Sequence, residues 1–132
     1  MNIAVIGCGA LAQAQHLPNI TRAQRAHLHT CCDLDDDALE RCREGFGPER
    51  TTDDFDAAVA DPDVDLVVLA ATEKLRLPVV RACAEAGKPL YVEKPVAATL
   101  EELSQIEALV GASGIPICVG HNRRCAPAMA DA

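Results

Sequence analysis

Six residues close to the N-terminus have the types and the spacing of a turn that binds a diphosphate. They are Gly7, Cys8, Gly9, Ala10, Leu11 and Ala12, a G-x-G-x-x-A turn between a predicted strand and a predicted helix. Gly7 permits a tight turn, Gly9 lets the backbone approach a diphosphate, and Ala12 allows the helix to pack closely on the strand. The unpaired N–H groups and partial positive charge at the start of the helix favour an anion. The turn therefore predicts dinucleotide binding.

An acidic residue follows the second predicted strand, as a dinucleotide site requires. Asp33 can accept hydrogen bonds from both hydroxyls of the adenosine ribose, and its charge would repel a 2′-phosphate. No Lys or Arg occurs from Asp33 to Asp37, so no side chain in this segment favours that phosphate. We assign Asp35–Asp37 to capping of the next helix, and capping is also the alternative role for Asp33. We favour the ribose role, which predicts NAD rather than NADP as the cofactor.

Short apolar segments alternate with helical patterns along the chain and would position these residues. The predicted strands are Asn2–Ile6, His27–Cys32, Asp65–Ala71, Pro89–Val92 and Pro116–Val119. The predicted helices are Ala10–Ala23 with a kink at Pro18, a helix from Asp35 to Gly45, Asp54–Ala60, Leu75–Ala86, and a helix from Thr99 to Gly114. Strands without polar alternation, joined by helical crossovers, predict an α/β fold with a doubly wound, mainly parallel Rossmann sheet and helices on both faces.

The last predicted helix has the clearest local signals. Thr99 and Glu102 have the spacing of a capping box, which marks the start of a helix. The residues predicted to form its apolar face are Leu100, Leu103, Ile106, Leu109 and Val110.

Length and composition fit one globular domain and disfavour several kinds of partner. The 132 residues are 49% hydrophobic and 24% charged, whereas only 2% are aromatic and none is Trp. A base-stacking platform for single-stranded nucleic acid is therefore not expected. The net charge of −8 disfavours nucleic-acid backbones and anionic membranes. No apolar run approaches the ~20 residues of a membrane helix.

The seven cysteines are predicted to be free thiols in a reducing, cytoplasmic setting. Their number is odd, and no Cys-x-x-Cys or Cys/His ligand spacing occurs, so no metal site is predicted. In an apolar segment a free Cys acts as a small hydrophobic residue. Cys31 and Cys32 are adjacent in a predicted strand and should therefore point to opposite faces of the sheet.

The second half of the chain carries more specific motifs. Asp65–Thr72, Ala86–Pro89, Glu93–Pro95 and Gly120–Pro127 follow one another in a characteristic order. On these motifs the chain, up to about residue 127, resembles the Gfo/Idh/MocA oxidoreductase family, which includes glucose–fructose oxidoreductase and inositol dehydrogenase. The resemblance implies an N-terminal NAD(P)-binding Rossmann domain and a C-terminal α/β substrate domain. It also implies hydride transfer between nicotinamide and a sugar, polyol or cyclitol.

The resemblance further implies roles for individual residues. It makes Lys94 a catalytic and substrate-positioning residue beside the nicotinamide, and Pro95 would rigidify the turn that presents it, with a cis bond as one option. A Lys at the carboxyl end of a buried strand can bind a substrate hydroxyl and favour its deprotonation. The other residues expected to contact the cofactor are Ala71, Thr72, Glu93 and Arg123. After Thr72 the family continues with Pro-Asn and then a His, whereas this chain has Glu73–Leu77.

The chain is too short to contain the substrate domain that the resemblance implies. We expect residues 1–119 to form the Rossmann domain and residues 120–132 to start the crossover to the missing domain. The leading hypothesis is the dinucleotide-binding domain of an NAD(P)-dependent oxidoreductase, truncated and inactive alone. One alternative is a standalone NAD-binding regulatory or partner-docking module without catalysis, and a further one is a scaffold that has lost cofactor affinity. Exposed apolar surface could pair two copies into a homo-oligomer.

Overall fold

Six parallel strands form the sheet on which the site is built, and the computed structural model describes them with the rest of residues 1–121. The strands are β1 (Asn2–Ile6), β2 (His27–Cys32), β3 (Arg50–Thr52), β4 (Leu66–Leu69), β5 (Leu90–Glu93) and β6 (Ile117–Gly120). Their order across the sheet is β3-β2-β1-β4-β5-β6. This is the doubly wound Rossmann order, so the predicted fold class is confirmed.

The chain changes its direction of winding at β1, and this creates a crevice. β1 pairs with β2 on one side, Ile6 opposite Cys32, and with β4 on the other, Ile6 opposite Leu69. The connection after β1 therefore leads to one half of the sheet and the connection after β3 to the other. In such sheets ligands bind outside the carboxyl ends of the strands at this switch point.

Helices cover both faces of the sheet. They are α1 (Leu17–Arg22), α2 (Asp36–Phe46), α3 (Phe55–Ala60), α4 (Arg76–Ala86) and α5 (Leu100–Ser113), with a π-helical turn at Ala12–His16 and a 3-10 turn at Glu73–Leu75. Side chains from α1 and α2 pack on one face, and side chains from α3, α4 and α5 pack on the other. Cys31 belongs to the first core and Cys32 to the second, so the opposite orientation predicted for them is confirmed. No helix among residues 1–121 is long and apolar enough to cross a membrane.

Predicted helix starts agree well with the observed caps. The Asp35 side chain accepts a hydrogen bond from the Asp37 amide at 3.0 Å, as an N-cap does. The Thr99 hydroxyl accepts from the Glu102 amide at 3.1 Å, and Glu102 accepts from the Ala98 amide at 2.9 Å. Local capping chemistry therefore starts α2 and α5 where the sequence indicates.

The predicted helix Ala10–Ala23 is present, with helical residues that run from Ala10 to Arg22. It contains a π-helical turn, and Pro18 lies in the first turn of α1, where a missing N–H is tolerated. Two other predicted boundaries were wrong. Gly45 lies inside α2, which ends instead at Gly47, whose φ of 60° is left-handed. The strand predicted over Asp65–Ala71 is shortened to Leu66–Leu69 because the chain turns away after β4.

Two further differences depend on tertiary packing. β3 was not predicted, because its three residues form no apolar run, and its strand conformation depends on parallel pairing with β2 at the sheet edge. Leu100 is 82% exposed, although it was predicted to lie on the apolar face of α5. Ile106 on the same helix is 3% exposed, and Leu109 and Val110 pack against the same core, so it is the start of α5 that lies away from the core.

Candidate cofactor-binding site

A cleft of about 720 Å³ opens at the switch point of the sheet. The residues that line it come from the ends of β1, β2, β3 and β4 and from the segments that follow: Ile6, Gly7, Gly9, Cys32, Asp33, Leu34, Asp53, Asp54, Phe55, Ala70, Ala71, Thr72 and Leu75. Five of the residues predicted from sequence to contact a cofactor are thus brought together in one cavity: Gly7, Gly9, Asp33, Ala71 and Thr72. The volume suits a bound small molecule or cofactor.

The first glycine of the turn is required by its packing against β4. Gly7 has a φ of +89°, and its amide donates a hydrogen bond to the Cys32 carbonyl at 2.8 Å. A Cβ on Gly7 would lie 2.5 Å from the Ala71 Cα and 2.8 Å from the Ala70 carbonyl carbon. No side chain other than hydrogen fits there, so Gly7 lets the turn lie directly against the end of β4.

The second glycine has the opposite environment. A Cβ on Gly9 would meet no atom within 4 Å, and Gly9 is exposed at the cleft. Ala10 is exposed and Leu11 is 44% exposed, so the start of the helix is open to solvent. Ala12 is 1% exposed and packs into the core between the helix and the sheet. The open side of the turn can therefore receive a ligand on bare backbone.

Asp33 links the turn to the end of β2. Its Oδ2 accepts a hydrogen bond from the Cys8 amide at 2.7 Å, and its Oδ1 accepts one from the Asp35 amide at 3.0 Å. An ionised carboxylate has about four acceptor positions, so these two bonds leave capacity for a ligand hydroxyl. Asp33 is half-buried and borders the cleft. The carboxylate therefore fits a ribose, and its bond to Cys8 fixes it relative to the turn.

Two more acids and three apolar residues in the cleft were missed by the sequence reasoning. Asp53 and Asp54 follow β3, and Asp54 also caps α3 by accepting from the Asp56 and Ala57 amides. Leu34, Phe55 and Leu75 supply apolar wall on the same cleft. Asp53, Asp54 and Phe55 follow β3, a strand that the sequence pattern did not reveal. Together they add two carboxylates and three apolar side chains to the lining of the cleft.

Glu93 is the centre of a second polar group at the end of β5. It is 6% exposed, and its Oε1 lies 3.1 Å from His16 Nε2 and accepts from the Tyr91 hydroxyl at 3.4 Å. The His16 and Tyr91 rings meet edge to face with centroids 5.5 Å apart. A Cβ on Gly120 would lie 2.5 Å from the Tyr91 hydroxyl oxygen, so a larger residue there would displace the Tyr91 side chain. Sequence reasoning gave His16 no role, because only the fold brings it to Glu93.

Lys94 lies directly after this buried group and is exposed. Its amide donates to Glu93 Oε2 at 3.3 Å, and the Lys94–Pro95 bond is cis. The Lys94 side chain borders a separate, shallower cleft of about 440 Å³ with Leu100 and His121, and is not among the residues that line the main cleft. Arg123, the remaining predicted contact, lies outside the described residues.

A buried arginine holds the segment that departs from the family pattern. Arg76 is 4% exposed, and its Nη1 donates to the Leu69 carbonyl at 3.1 Å. Burial lowers the pKa of Arg76 from its ordinary value, although the charges of Glu93 and Glu73 act in the other direction. The side chain therefore satisfies a carbonyl at the end of β4.

The chain is similar to known oxidoreductases over nearly its whole length. The family model described as oxidoreductase family, NAD-binding Rossmann fold, matches residues 1–121. The chain is 29% identical over 124 residues to myo-inositol 2-dehydrogenase of Thermotoga maritima, with 94% of this chain and 37% of that protein covered. It is 35% identical over 130 residues to inositol 2-dehydrogenase 2 of Saccharopolyspora erythraea, with 96% and 38% covered.

The same fold occurs in solved structures. Scyllo-inositol dehydrogenase from Lactobacillus casei, crystallised with NAD(H) and scyllo-inositol, superposes with a TM-score of 0.90 at 24% identity. The superposition covers 96% of this chain and 38% of that one. The chain thus spans little more than a third of the length of the relatives it matches.

Proposed function

We propose that this chain, which belongs to the Gfo/Idh/MocA oxidoreductase family, is the NAD-binding part of a dehydrogenase that transfers hydride to or from a sugar, polyol or cyclitol. The observation that carries the proposal is the hydrogen bond of Asp33 to the Cys8 amide at the cleft. This bond joins the proposed ribose acceptor, at the end of β2, to the proposed diphosphate turn, at the end of β1. A dinucleotide site needs both of these parts, and along the chain they are separated by a helical crossover.

In the proposed complex the diphosphate lies on the open side of the turn, at Gly9, Ala10 and Leu11. Backbone N–H groups there would bind its oxygens, and the helix start would favour its charge. Asp33 would accept from the adenosine ribose hydroxyls. The apolar wall of Leu34 and Leu75 would remain for the adenine.

The cofactor preference in this proposal follows from charge. Asp33, Asp53 and Asp54 border the same cleft. A 2′-phosphate on the adenosine ribose would add about two negative charges beside these three carboxylates. The net charge of −8 opposes it further. We therefore propose NAD in preference to NADP.

The reacting end of the cofactor would lie toward the end of β5, near Glu93 and Lys94. When bound, the nicotinamide ring supplies the acceptor or donor of the hydride. The Lys94 ammonium would bind the reacting hydroxyl of the substrate and stabilise the negative charge that develops as its proton leaves. Glu93, held by His16 and Tyr91, would fix the backbone from which Lys94 projects.

The substrate class is proposed from the relatives that are named inositol dehydrogenases. Cyclitols and sugars carry many hydroxyls, and several donors and acceptors must orient one of them toward the hydride. Among residues 1–121, the cleft beside Lys94 is shallow and mostly apolar. We propose that residues outside this part of the chain hold the substrate, and that the 132 residues alone bind NAD without turnover.

An NAD-binding regulatory or docking module without catalysis is the alternative. The observation that favours it is the apolar cleft beside Lys94, where Leu100 is 82% exposed. A large exposed leucine beside such a cleft suits a protein interface. Steady-state assays with polyols distinguish the two proposals once the chain is supplied with a substrate domain.

Titration with NAD and with NADP tests the cofactor site. Asp33→Asn removes the charge and part of the acceptor capacity. A hydrogen bond to a charged group contributes about 2 kcal/mol, so the affinity for NAD should fall about thirtyfold. The affinity for NADP should fall less, because the same substitution relieves repulsion of the 2′-phosphate.

Asp37→Asn is the matched control, since Asp37 is an exposed acid in the first turn of α2 that does not border the cleft. It should leave both affinities within about twofold, because an exposed charge outside the cleft is screened by salt. Equal weakening of NAD and NADP by Asp33→Asn would refute the ribose role. If neither NAD nor NADP saturates the chain at millimolar concentration, only the alternative of a scaffold without cofactor affinity remains. Polyol turnover by the isolated chain, abolished by Lys94→Ala, would contradict the expected inactivity.

A further inference from the structure

Three cysteine side chains meet beneath the phosphate turn, on the face of the sheet covered by α1 and α2. Cys8 belongs to the turn, Cys31 to β2 and Cys42 to α2. Their Sγ atoms all lie within 4.8 Å of one another, and each residue is 0% exposed. Residues far apart in sequence therefore form one cluster of thiols, which no spacing motif indicated.

The cofactor site as proposed makes no use of these thiols. Cys8 faces the cleft with its backbone amide, which donates to Asp33. Its Sγ is buried away from the cleft, 3.8 Å from the Val5 carbonyl oxygen, 3.6 Å from the Cys32 carbonyl oxygen and close to the other two thiols. No fourth His, Cys, Asp or Glu donor within residues 1–121 joins the cluster. The cluster can therefore offer three sulfur ligands and no more from the described chain.

The surroundings of the cluster disfavour a net negative charge. All three cysteines are 0% exposed and lie in an apolar core, where water cannot solvate a charge. The Asp33 carboxylate, which accepts from the Cys8 amide, is a further negative charge close to the cluster. A bound species that left net negative charge at this place would be strongly disfavoured.

The requirement that no net negative charge remain distinguishes between the soft ions that bind thiols. Three thiolates on monovalent copper carry two net negative charges, and three on divalent zinc carry one. Zinc also prefers a fourth ligand in closed protein sites. Three thiolates on trivalent arsenic are neutral, and arsenic(III) prefers a pyramidal centre with three bonds. Charge and ligand number thus favour a trivalent pyramidal centre, and arsenic is the smallest such ion for a closely packed core.

We propose that Cys8, Cys31 and Cys42 form a binding site for trivalent arsenic, entered as arsenous acid. Three As–O bonds break and three As–S bonds form. The three S–H protons leave with the three hydroxides as three water molecules. No atom changes its oxidation state, and no charge is left in the core.

The reagent reaches the cluster through local opening of the turn. Gly9, Ala10 and Leu11, which follow Cys8, are exposed, and such segments open at lower free energy than the strands do. Arsenous acid is small and uncharged at neutral pH, so it can enter without bringing charge into the core. Binding would then hold Cys8 to β2 and α2.

Arsenite binding should be coupled to NAD binding, and this expectation rests on the proposed function. The Cys8 amide that donates to Asp33 belongs to the same residue as the arsenic ligand. Any shift of Cys8 toward Cys31 and Cys42 changes the turn that would receive the diphosphate. We expect arsenite to lower NAD affinity about tenfold, a usual size for coupling between adjacent sites.

The test uses the intact reduced chain, with a phosphine reductant because dithiol reductants bind arsenite themselves. Native mass spectrometry should show one arsenic atom gained and three hydrogen atoms lost. Thermal unfolding should shift upward with arsenite concentration. X-ray absorption at the arsenic edge should show three sulfur neighbours. Two sulfurs and one oxygen, or no binding at all, would overturn the proposal.

Single substitutions identify the ligands. Cys8→Ala, Cys31→Ala and Cys42→Ala should each lower arsenite affinity about a hundredfold, because loss of one linked ligand removes a large effective concentration. Cys83→Ala is the matched control, since Cys83 is also 0% exposed but lies in α4 on the opposite core. Equal weakening by Cys83→Ala would refute the assignment.

The unmodified chain keeps the proposal testable if a variant fails to fold, because the absorption spectrum needs no substitution. Neither mass nor absorption measurements need NAD. A chain that binds arsenic through three sulfurs but never binds NAD would disprove the proposed function alone. A chain that binds NAD but not arsenic would disprove the arsenic site alone.

Discussion

Alanine substitutions at the two glycines of the turn should have opposite effects on stability and on binding. Gly7 has a φ of +89°, a region that L-residues rarely adopt. An added Cβ would lie 2.5 Å from the Ala71 Cα and 2.8 Å from the Ala70 carbonyl carbon. Both neighbours are backbone atoms and cannot rotate away. Gly7→Ala must therefore move the turn off the end of β4 or force the backbone to change.

The cost can be built from two contributions. The left-handed conformation costs a non-glycine residue about 1–2 kcal/mol. Overpacking against backbone adds about 1–3 kcal/mol. The free energy of unfolding should thus fall by about 2–5 kcal/mol. For a domain of this size each kcal/mol lowers the melting temperature by about 4 °C, so the shift is about 8–20 °C.

Gly9→Ala makes the same chemical change in open space. No atom lies within 4 Å of its added Cβ, and the φ of Gly9 is not left-handed. The free energy of unfolding should change by less than about 1 kcal/mol, and reduced freedom of the unfolded chain can even raise it. The new methyl group would nevertheless occupy the side of the turn proposed for the diphosphate. NAD affinity should therefore fall about tenfold or more, as loss of one or two charge-assisted hydrogen bonds implies.

Calorimetric melting and calorimetric NAD titration of the two variants are the measurements. If Gly7→Ala has the same melting temperature as the unmodified chain, the turn does not approach β4 as closely as described. If Gly9→Ala binds NAD with full affinity, the diphosphate does not lie on the turn. Loss of NAD binding in Gly7→Ala can follow from the displaced turn alone, so Gly9→Ala is the variant that tests the diphosphate position.

Two further predictions concern other ionisable groups. The Asp63 amide, and after it the Arg50 guanidinium, hold the pKa of Asp61 below its usual range. Asp61 therefore stabilises the fold above its unfolded pKa of about 4, and this contribution is lost as pH falls through the lowered folded value. In urea unfolding, the stability difference between the unmodified chain and Asp61→Asn should shrink as the solution is acidified below about pH 4, and a difference independent of pH would contradict the assignment. Burial raises the pKa of Cys83 to about 12, whereas Cys118 is exposed. A thiol reagent at neutral pH should thus label Cys118 quickly and Cys83 only on unfolding, as peptide mass spectrometry would record; equal labelling would disprove the burial of Cys83.

Much of the fold was predictable because the signals are local. The apolar strands, the Asp35 and Thr99 caps and the glycine turn each depend on residues close in sequence. β3 was not predictable in the same way. Arg50–Thr52 has no apolar pattern, and its conformation is set by pairing with β2. Asp53 and Phe55 were missed as cleft residues for that reason.

The site divides along the same line. Residue types and order determined by themselves the parallel sheet, the turn at Gly7–Ala12 and an acid at the end of β2, since each is a short-range pattern with one favourable structure. The tertiary structure alone decided that Asp33 accepts from Cys8 and that His16 meets Glu93. It also decided that Cys8, Cys31 and Cys42 form one cluster. These contacts join segments brought together by crossovers and packing, and no spacing along the chain records them.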